Sequence, residues 1–192
     1  MLGWLSPPLH FSCNKCGDCC REMDVPVSHR DLYFLRRAAS DRPIGEVVRM
    51  RATHEWDPEA ALVAEQYVQL YLRRDPATEN CIFLGQEGCT IYGLRPRACR
   101  TFPFDQNPRG LLQIASEAKL LYDVCCDKDL VSRQDRKAAK HQIGRGVEEF
   151  TLYRELVAVW NTQVKDKPET QTLEAYADFL CRTVELGGAP QP

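Results

Sequence analysis

The chain has 192 residues, 44% hydrophobic and 27% charged, the balance of a globular protein long enough to bury a core without disulfide staples. A net charge of −2 and a pI near 6.1 argue against a nucleic-acid partner held by bulk electrostatics. No apolar run approaches the ~18–20 residues of a membrane span, and Met1-Leu-Gly-Trp-Leu-Ser-Pro-Pro8 has none of the marks of a secretory signal. The expectation is a cytoplasmic protein with no membrane partner.

The first motif comes almost at once. Phe11-Ser-Cys-Asn-Lys-Cys-Gly-Asp-Cys-Cys-Arg21 places Cys13, Cys16, Cys19 and Cys20 within eight positions. Val25-Pro-Val27 then reads as a short extended piece. Ser28 with Asp31 is a capping-box signature, opening a helix whose apolar face is Leu32, Leu35 and Ala39. A polar link over 40–43 leads to Ile44-Gly-Glu-Val-Val-Arg-Met50, too short to assign. Asp57-Pro58 is a helix-start signal, and Ala64, Tyr67, Val68, Tyr71 and Leu72 follow at helical spacing. The pattern predicts an amphipathic helix over 58–74.

The middle of the chain leans toward β structure. Cys81-Ile-Phe-Leu84 and Cys89-Thr-Ile-Tyr92, joined by Gly85-Gln-Glu-Gly88, predict a small hairpin. Pro96 can open a helical turn through Ala98 and Cys99. Phe102-Pro-Phe104, a turn at Asn107-Pro-Arg-Gly110 and Leu111-Leu-Gln-Ile114 predict a second β piece. The last third reads as helical. Ser132 with Asp135 caps one segment, interrupted at Gly144 and Gly146, with Val147, Phe150, Tyr153, Val157 and Trp160 as its stripe. Thr172 opens a final helix carrying Leu173, Tyr176, Leu180 and Val184, stopped by Gly187-Gly188. The expected fold class is mainly α within α+β: a single helical domain around a small irregular, β-hairpin, cysteine-rich metal centre.

Ten cysteines give that centre its chemistry. Without export the compartment is reducing, which favours metal binding over disulfides. The vicinal pairs Cys19-Cys20 and Cys125-Cys126 also suit disulfide geometry poorly. Thiolates are soft ligands, fit for zinc, Cu(I) or iron–sulfur clusters and not for magnesium or calcium. Gly17 is the permissive residue a C-x2-C turn needs. The spacing is neither that of a zinc ribbon nor that of a ferredoxin. Cys81, Cys89 and Cys99 lie where they can complete the site, and Arg95, Arg97 and Arg100 surround Cys99 with positive charge. A four-thiolate site with zinc or a [4Fe–4S] core carries about −2, which such charge offsets. Cys181, beside Leu180 and Val184, reads as a buried structural thiol. The basic stretch over 133–140 reads as a solvated helix face, and the four histidines as mundane.

Two motif blocks carry a resemblance. Phe11-x-Cys-x2-Cys-Gly-x-Cys-Cys20 is followed by Cys81-Ile-Phe-Leu84 and then by Gly88-Cys-Thr-Ile-Tyr-Gly-Leu-Arg-Pro-Arg-Ala-Cys-Arg-Thr-Phe-Pro-Phe104. The chain resembles the CxxCxxCC domain of the YkgJ-family cysteine cluster proteins, described as zinc- or iron-chelating. The likeness spans residues 10–126, with 127–188 as a C-terminal helical segment packing on it within one globular domain. The resemblance implies Cys13, Cys16, Cys19, Cys20, Cys81, Cys89 and Cys99 as metal ligands, completed by Cys125 or Cys126. It further implies that Tyr92, Arg95 and Arg100 surround the cofactor, with Pro96, Phe102 and Pro103 supporting it. Family members often follow the later cysteine with Pro-Gly, where this chain has Cys125-Cys-Asp-Lys128. The same domain begins the flagellin lysine N-methylases, which are longer and are thought to carry an iron–sulfur cluster.

The cofactor expected is therefore an iron–sulfur cluster (4Fe–4S) or zinc, the former favoured because eight or more sulfurs exceed the need of one structural zinc ion. Three function classes stay open: a redox or sensing protein, a structural zinc protein that serves as an interaction module, or an enzyme loosely related to the methylases. The partner expected is a protein.

Overall fold

In the computed structural model, which describes residues 9–13, 15–125 and 127–187, a three-residue strand, β1 (His10–Ser12), enters the cysteine motif directly. Gly17 takes φ +81° and starts a short helix, α1 (Asp18–Glu22), that carries Cys19 and Cys20. The left-handed backbone reserves this position for glycine, and a Cβ here would also stand 2.8 Å from Leu84 Cδ1, which would have to move aside. The next helix, α2 (His29–Ala38), opens with the complete predicted capping box. Asp31 N–H donates to Ser28 Oγ at 3.3 Å, and Ser28 N–H donates to Asp31 Oδ2 at 3.1 Å. The unassigned stretch after it divides into α3 (Ile44–Val47) and β2 (Val48–Ala52).

The largest departure from expectation lies over 58–74, where the predicted helix is a hairpin. Strands β3 (Ala61–Val63) and β4 (Gln66–Leu72) pair antiparallel, and β2 joins the far side of β4, giving the order β2-β4-β3. The turn residues Ala64 and Glu65 take φ +48° and +60°, a hairpin geometry that usually asks for Asn or Gly. A distant residue holds it: Ala64 N–H donates to the Gln171 carbonyl at 2.6 Å, and Glu65 N–H to Gln171 Oε1 at 2.9 Å. Val63, Tyr67, Val68 and Tyr71 are β-branched or aromatic, which suits the pleated strands they occupy.

The predicted small hairpin forms, but only as β5 (Leu84–Gly85) against β6 (Gly88–Cys89). A short helix, α4 (Arg97–Thr101), follows Pro96 and carries Cys99. The second predicted β piece is β7 (Phe104–Gln106) paired with β8 (Leu112–Ile114). After α5 (Lys119–Cys125), β9 (Asp127–Leu130) returns antiparallel to β1, with His10 opposite Leu130 and Ser12 opposite Asp127.

The C-terminal part corrects another expectation. Gly144 and Gly146 do not interrupt α6 (Arg133–Val164), which runs unbroken for 32 residues from the predicted Ser132 cap. Gly146 is needed for a contact instead: a Cβ there would lie 2.7 Å from Arg97 Cζ, because that side chain crosses the helix at this point. The last helix, α7 (Leu173–Leu186), starts at Thr172, whose hydroxyl accepts the Ala175 N–H at 3.1 Å.

The fold class is α+β. The main core lies where α2, α6 and α7 close over the three-stranded sheet, and Leu32, Leu35, Tyr176 and Leu180 are wholly buried in it. Two side chains of α6 also bond the outer edge of β3. Asn161 accepts Leu62 N–H at 2.7 Å and donates to Ala60 O at 2.8 Å, while Trp160 Nε1–H donates to Leu62 O at 2.9 Å. Leu9, Leu112, Val131 and Ile143 form a second, smaller cluster. Among the described residues, no helix is long and apolar enough to cross a membrane.

Candidate metal centre

Three stretches of chain deliver thiols to one place: the loop and α1, the β5–β6 hairpin with its approach, and α4. Each is pinned locally. Cys81 N–H donates to the Cys20 carbonyl at 2.8 Å, tying the hairpin approach to α1. Arg74 reinforces that joint, donating to the Met23 carbonyl at 3.2 Å and also to the carbonyls of Arg21 and Glu79. Arg21 in turn holds the cysteine loop through the Cys16 carbonyl at 2.8 Å and Asp18 at 2.9 Å. The third stretch is fixed to the core, because Arg97 N–H, at the start of α4, donates to Asp31 Oδ1 of α2 at 2.8 Å.

The result is a cavity of about 80 Å³ whose lining includes Cys13, Cys16, Cys19, Cys20, Cys81, Cys89 and Cys99. Val25, Leu72, Phe83 and Phe102 give it apolar walls. Cys13 and Cys16 are exposed, and the other five are half-buried. Two cations share one aromatic ring in the same lining. The Arg95 guanidinium lies 3.6 Å over the Tyr92 ring and its Nε–H donates to the Tyr92 carbonyl at 2.9 Å, while Lys15 Nζ stands 5.2 Å from the ring centroid.

The thiols are already in contact. Cys19 donates to Cys20, which donates to Cys81, a relay that makes Cys81 the final acceptor. Donating to Cys20, with burial added, pushes the Cys19 thiol far up. For Cys20 the bond received from Cys19 pulls down, but the one it gives to Cys81 and burial prevail, and it is pushed up to about 11. The bond from Cys20 draws Cys81 below the usual thiol value against the opposing effect of burial. Burial raises Cys16, Cys89 and Cys99, and Cys99 is raised further by Cys19 and Cys20. Such a set resists ionising without a cation, and a soft cation displaces its protons. Among the described residues, no three His, Cys, Asp or Glu side chains stand at the spacing of a finished single-ion site. The donor chemistry nevertheless fits a soft metal: many sulfurs, few oxygens, an apolar wall and cations in the lining.

The remaining predicted residues fall in different places. Cys125 ends α5, and Cys126 lies outside the described residues. The strand that follows them is paired to the strand that precedes Cys13, through Asp127 and Ser12. Tyr92 and Arg95 line the cavity, whereas Arg100 does not; its charge acts on Arg30 and Arg97. Cys181 is 8% exposed in the helical core, where Arg36 hydrogen-bonds its thiol. Sequence reasoning did not anticipate Lys15 as a lining cation, and nothing in the Asn-Lys-Cys step announces it. It also missed that Asp31, read only as a capping residue, anchors the helix that bears Cys99.

Neither the curated proteins nor the solved structures contain a match to the chain. A family model does match it, over residues 12–127, which is more than half of its length and takes in both motif blocks that supply the cavity's thiols. The chain therefore belongs to the CxxCxxCC family, described as a putative zinc- or iron-chelating domain.

Proposed function

We propose that the protein is a cytoplasmic metal-thiolate protein that binds an iron–sulfur cluster and works in a redox or sensing role. One observation carries the reading: seven cysteines from three separated stretches line one cavity. Their number exceeds what one structural zinc ion takes, and the cavity is several-fold larger than the ~10–15 Å³ that admits a single water molecule. Cys13, Cys16, Cys19, Cys20, Cys81, Cys89 and Cys99 are the candidate ligands. The family resemblance adds Cys125 or Cys126 to them, and the β1–β9 pairing, which sets Asp127 opposite Ser12 in the strand before Cys13, supports that addition.

When bound, an iron–sulfur cluster supplies a one-electron couple tuned by charge, hydrogen bonding and exposure. The chain's own residues set those conditions. Arg95 and Lys15 offset the negative charge that thiolates accumulate, and Arg95 acts directly on Cys19 and Cys89. Phe83, Leu72 and Val25 keep water from the inner thiols. Cys13 and Cys16, exposed at the opening, give an oxidant or a partner protein a direct approach.

Anaerobic purification followed by measurement of iron, zinc and acid-labile sulfide, with a visible absorption spectrum, tests this. Iron and sulfide in matching amounts with a broad band bleached by air are expected. A colourless protein with stoichiometric zinc and no sulfide overturns the reading in favour of a closed zinc site.

A further inference from the structure

The short helix α4 reaches two cavities. Its Cys99 lines the thiol cavity, and its first residue, Arg97, lines another of about 370 Å³ between α6, β7 and the chain that leads into β3. No cysteine borders this second cavity. Ile143, Val147 and Phe150 of α6 give it an apolar wall, and its charged groups are Arg97, Arg154, Glu59 and Asp105.

Two of those four charges satisfy each other. Arg154 donates to Glu59 Oε1 from Nε at 3.1 Å and from Nη2 at 2.8 Å. The other two stand apart. Arg97 crosses Gly146, where any side chain would displace it, and holds its guanidinium 4.3 Å from the Phe150 ring centroid. That guanidinium makes no hydrogen bond or ion pair to a described residue, and Asp31, Glu149 and Glu59 act on it only through space. Asp105 is exposed, and among the described residues its carboxylate takes one bond, from the Gln106 amide at 2.7 Å. The cavity thus presents a free cation on an aromatic face and a carboxylate with open acceptor positions, too far apart to pair.

We propose that this cavity binds a small zwitterion, an α-amino acid with an apolar side chain. Arg97 offers guanidinium N–H groups to the ligand carboxylate, Asp105 accepts from the ligand ammonium, and Val147 and Phe150 pack against the side chain. Both charges of the ligand are needed. A plain carboxylate is attracted by Arg97 but repelled by Asp105 and Glu59, and a plain amine is attracted by Asp105 but repelled by Arg97. Only a ligand that carries both signs gains at each end. The volume lies near the lower end of the ~300–1,000 Å³ usual for small-molecule sites, which suits a ligand of this size. This site stands independently of the metal reading.

Titration calorimetry of the whole protein with L-leucine and L-phenylalanine tests the proposal, with isocaproate and isoamylamine as leucine analogues that lack the ammonium and the carboxylate. Saturable binding of an amino acid is expected, with each analogue at least about ten-fold weaker. Arg97→Gln and Asp105→Asn should each weaken amino-acid binding by at least about ten-fold. The exposed Asp105 carboxylate bonds only its neighbour's amide, so Asp105→Asn keeps the fold and decides the matter alone if Arg97→Gln does not fold. Absence of saturable binding of both amino acids, an analogue that binds as tightly, or full affinity in Asp105→Asn would each overturn it.

Discussion

The helical core and the thiol region are held by different forces. In the core, Leu32, Leu35, Leu180 and Tyr176 are fully withdrawn from water, and burial of that order stabilises by ~1.5–3 kcal/mol per large side chain. In the thiol region the strands β5 and β6 are two residues long, α1 and α4 have no fully buried residue, and the joints are side-chain clamps such as Arg74 and Arg21 on backbone carbonyls. Exposed clamps of that kind contribute little each. The core folds on what it buries, whereas the thiol region, packed against that core through Phe83, Ile91 and Ala98, has little buried surface of its own and gains order if a metal binds its thiols.

That contrast can be broken in four ways, taken from the largest effect downward. Cys16→Ala and Cys99→Ala should each lower metal content, and hydrogen exchange should show lost protection in the thiol region while α6 and α7 keep theirs. Unchanged metal in both variants would mean that other sulfurs hold it, and uniform loss of protection would make the two regions one cooperative unit. Leu180→Ala should do the reverse, costing about 2–5 kcal/mol in urea unfolding at unchanged metal stoichiometry.

The third test uses pH. His29 is 2% exposed, and burial lowers its pKa to about 4, with Glu149 pulling it up and Arg30 pushing it down. Below pH ~6.5 the unfolded chain binds a proton that the folded chain refuses, so stability falls as pH drops from ~6.5 toward 4, by about 3 kcal/mol at ~1.4 kcal/mol per unit. Asp31, raised by burial and by Glu149, keeps its proton longer in the folded chain and contributes a slope of opposite sign just above the ordinary carboxylate range. His29→Phe should flatten the fall between pH 6.5 and 4; an unchanged profile would assign it to other groups. Smallest is Arg95→Ala, expected to weaken metal binding about 10–100-fold in a competition titration while leaving the core's unfolding midpoint in place. A shift in that midpoint would tie Arg95 to the core.

What the sequence disclosed follows the same division. Capping at Ser28, Ser132 and Thr172 is local chemistry, and all three caps are present. The hairpin at 61–72 was illegible because its turn is Ala64-Glu65 and its determinant, Gln171, lies about a hundred residues away. Gly146 looked like a helix breaker because nothing in its neighbourhood reveals that Arg97 must pass over it. Sharing of one cavity by Cys81, Cys89 and Cys99 with the first motif was readable, since thiol spacing reflects ligand chemistry more than packing. Arg100, by contrast, was expected around the cofactor but does not line the cavity, although Arg95 from the same motif does.

The bonds that Trp160 and Asn161 make to β3 have a consequence for how copies of this chain meet. A bare outer strand is a template on which a second molecule can add its own strand. Here the Leu62 amide and the carbonyls of Ala60 and Leu62 are spent on the helix, so that side of the sheet is closed to strand addition. For a chain with ten cysteines, of which Cys13 and Cys16 are exposed, each prolonged encounter between copies is a chance of oxidative cross-linking. A helix that occupies the sheet edge thus also removes one way for the thiols of two copies to be held together.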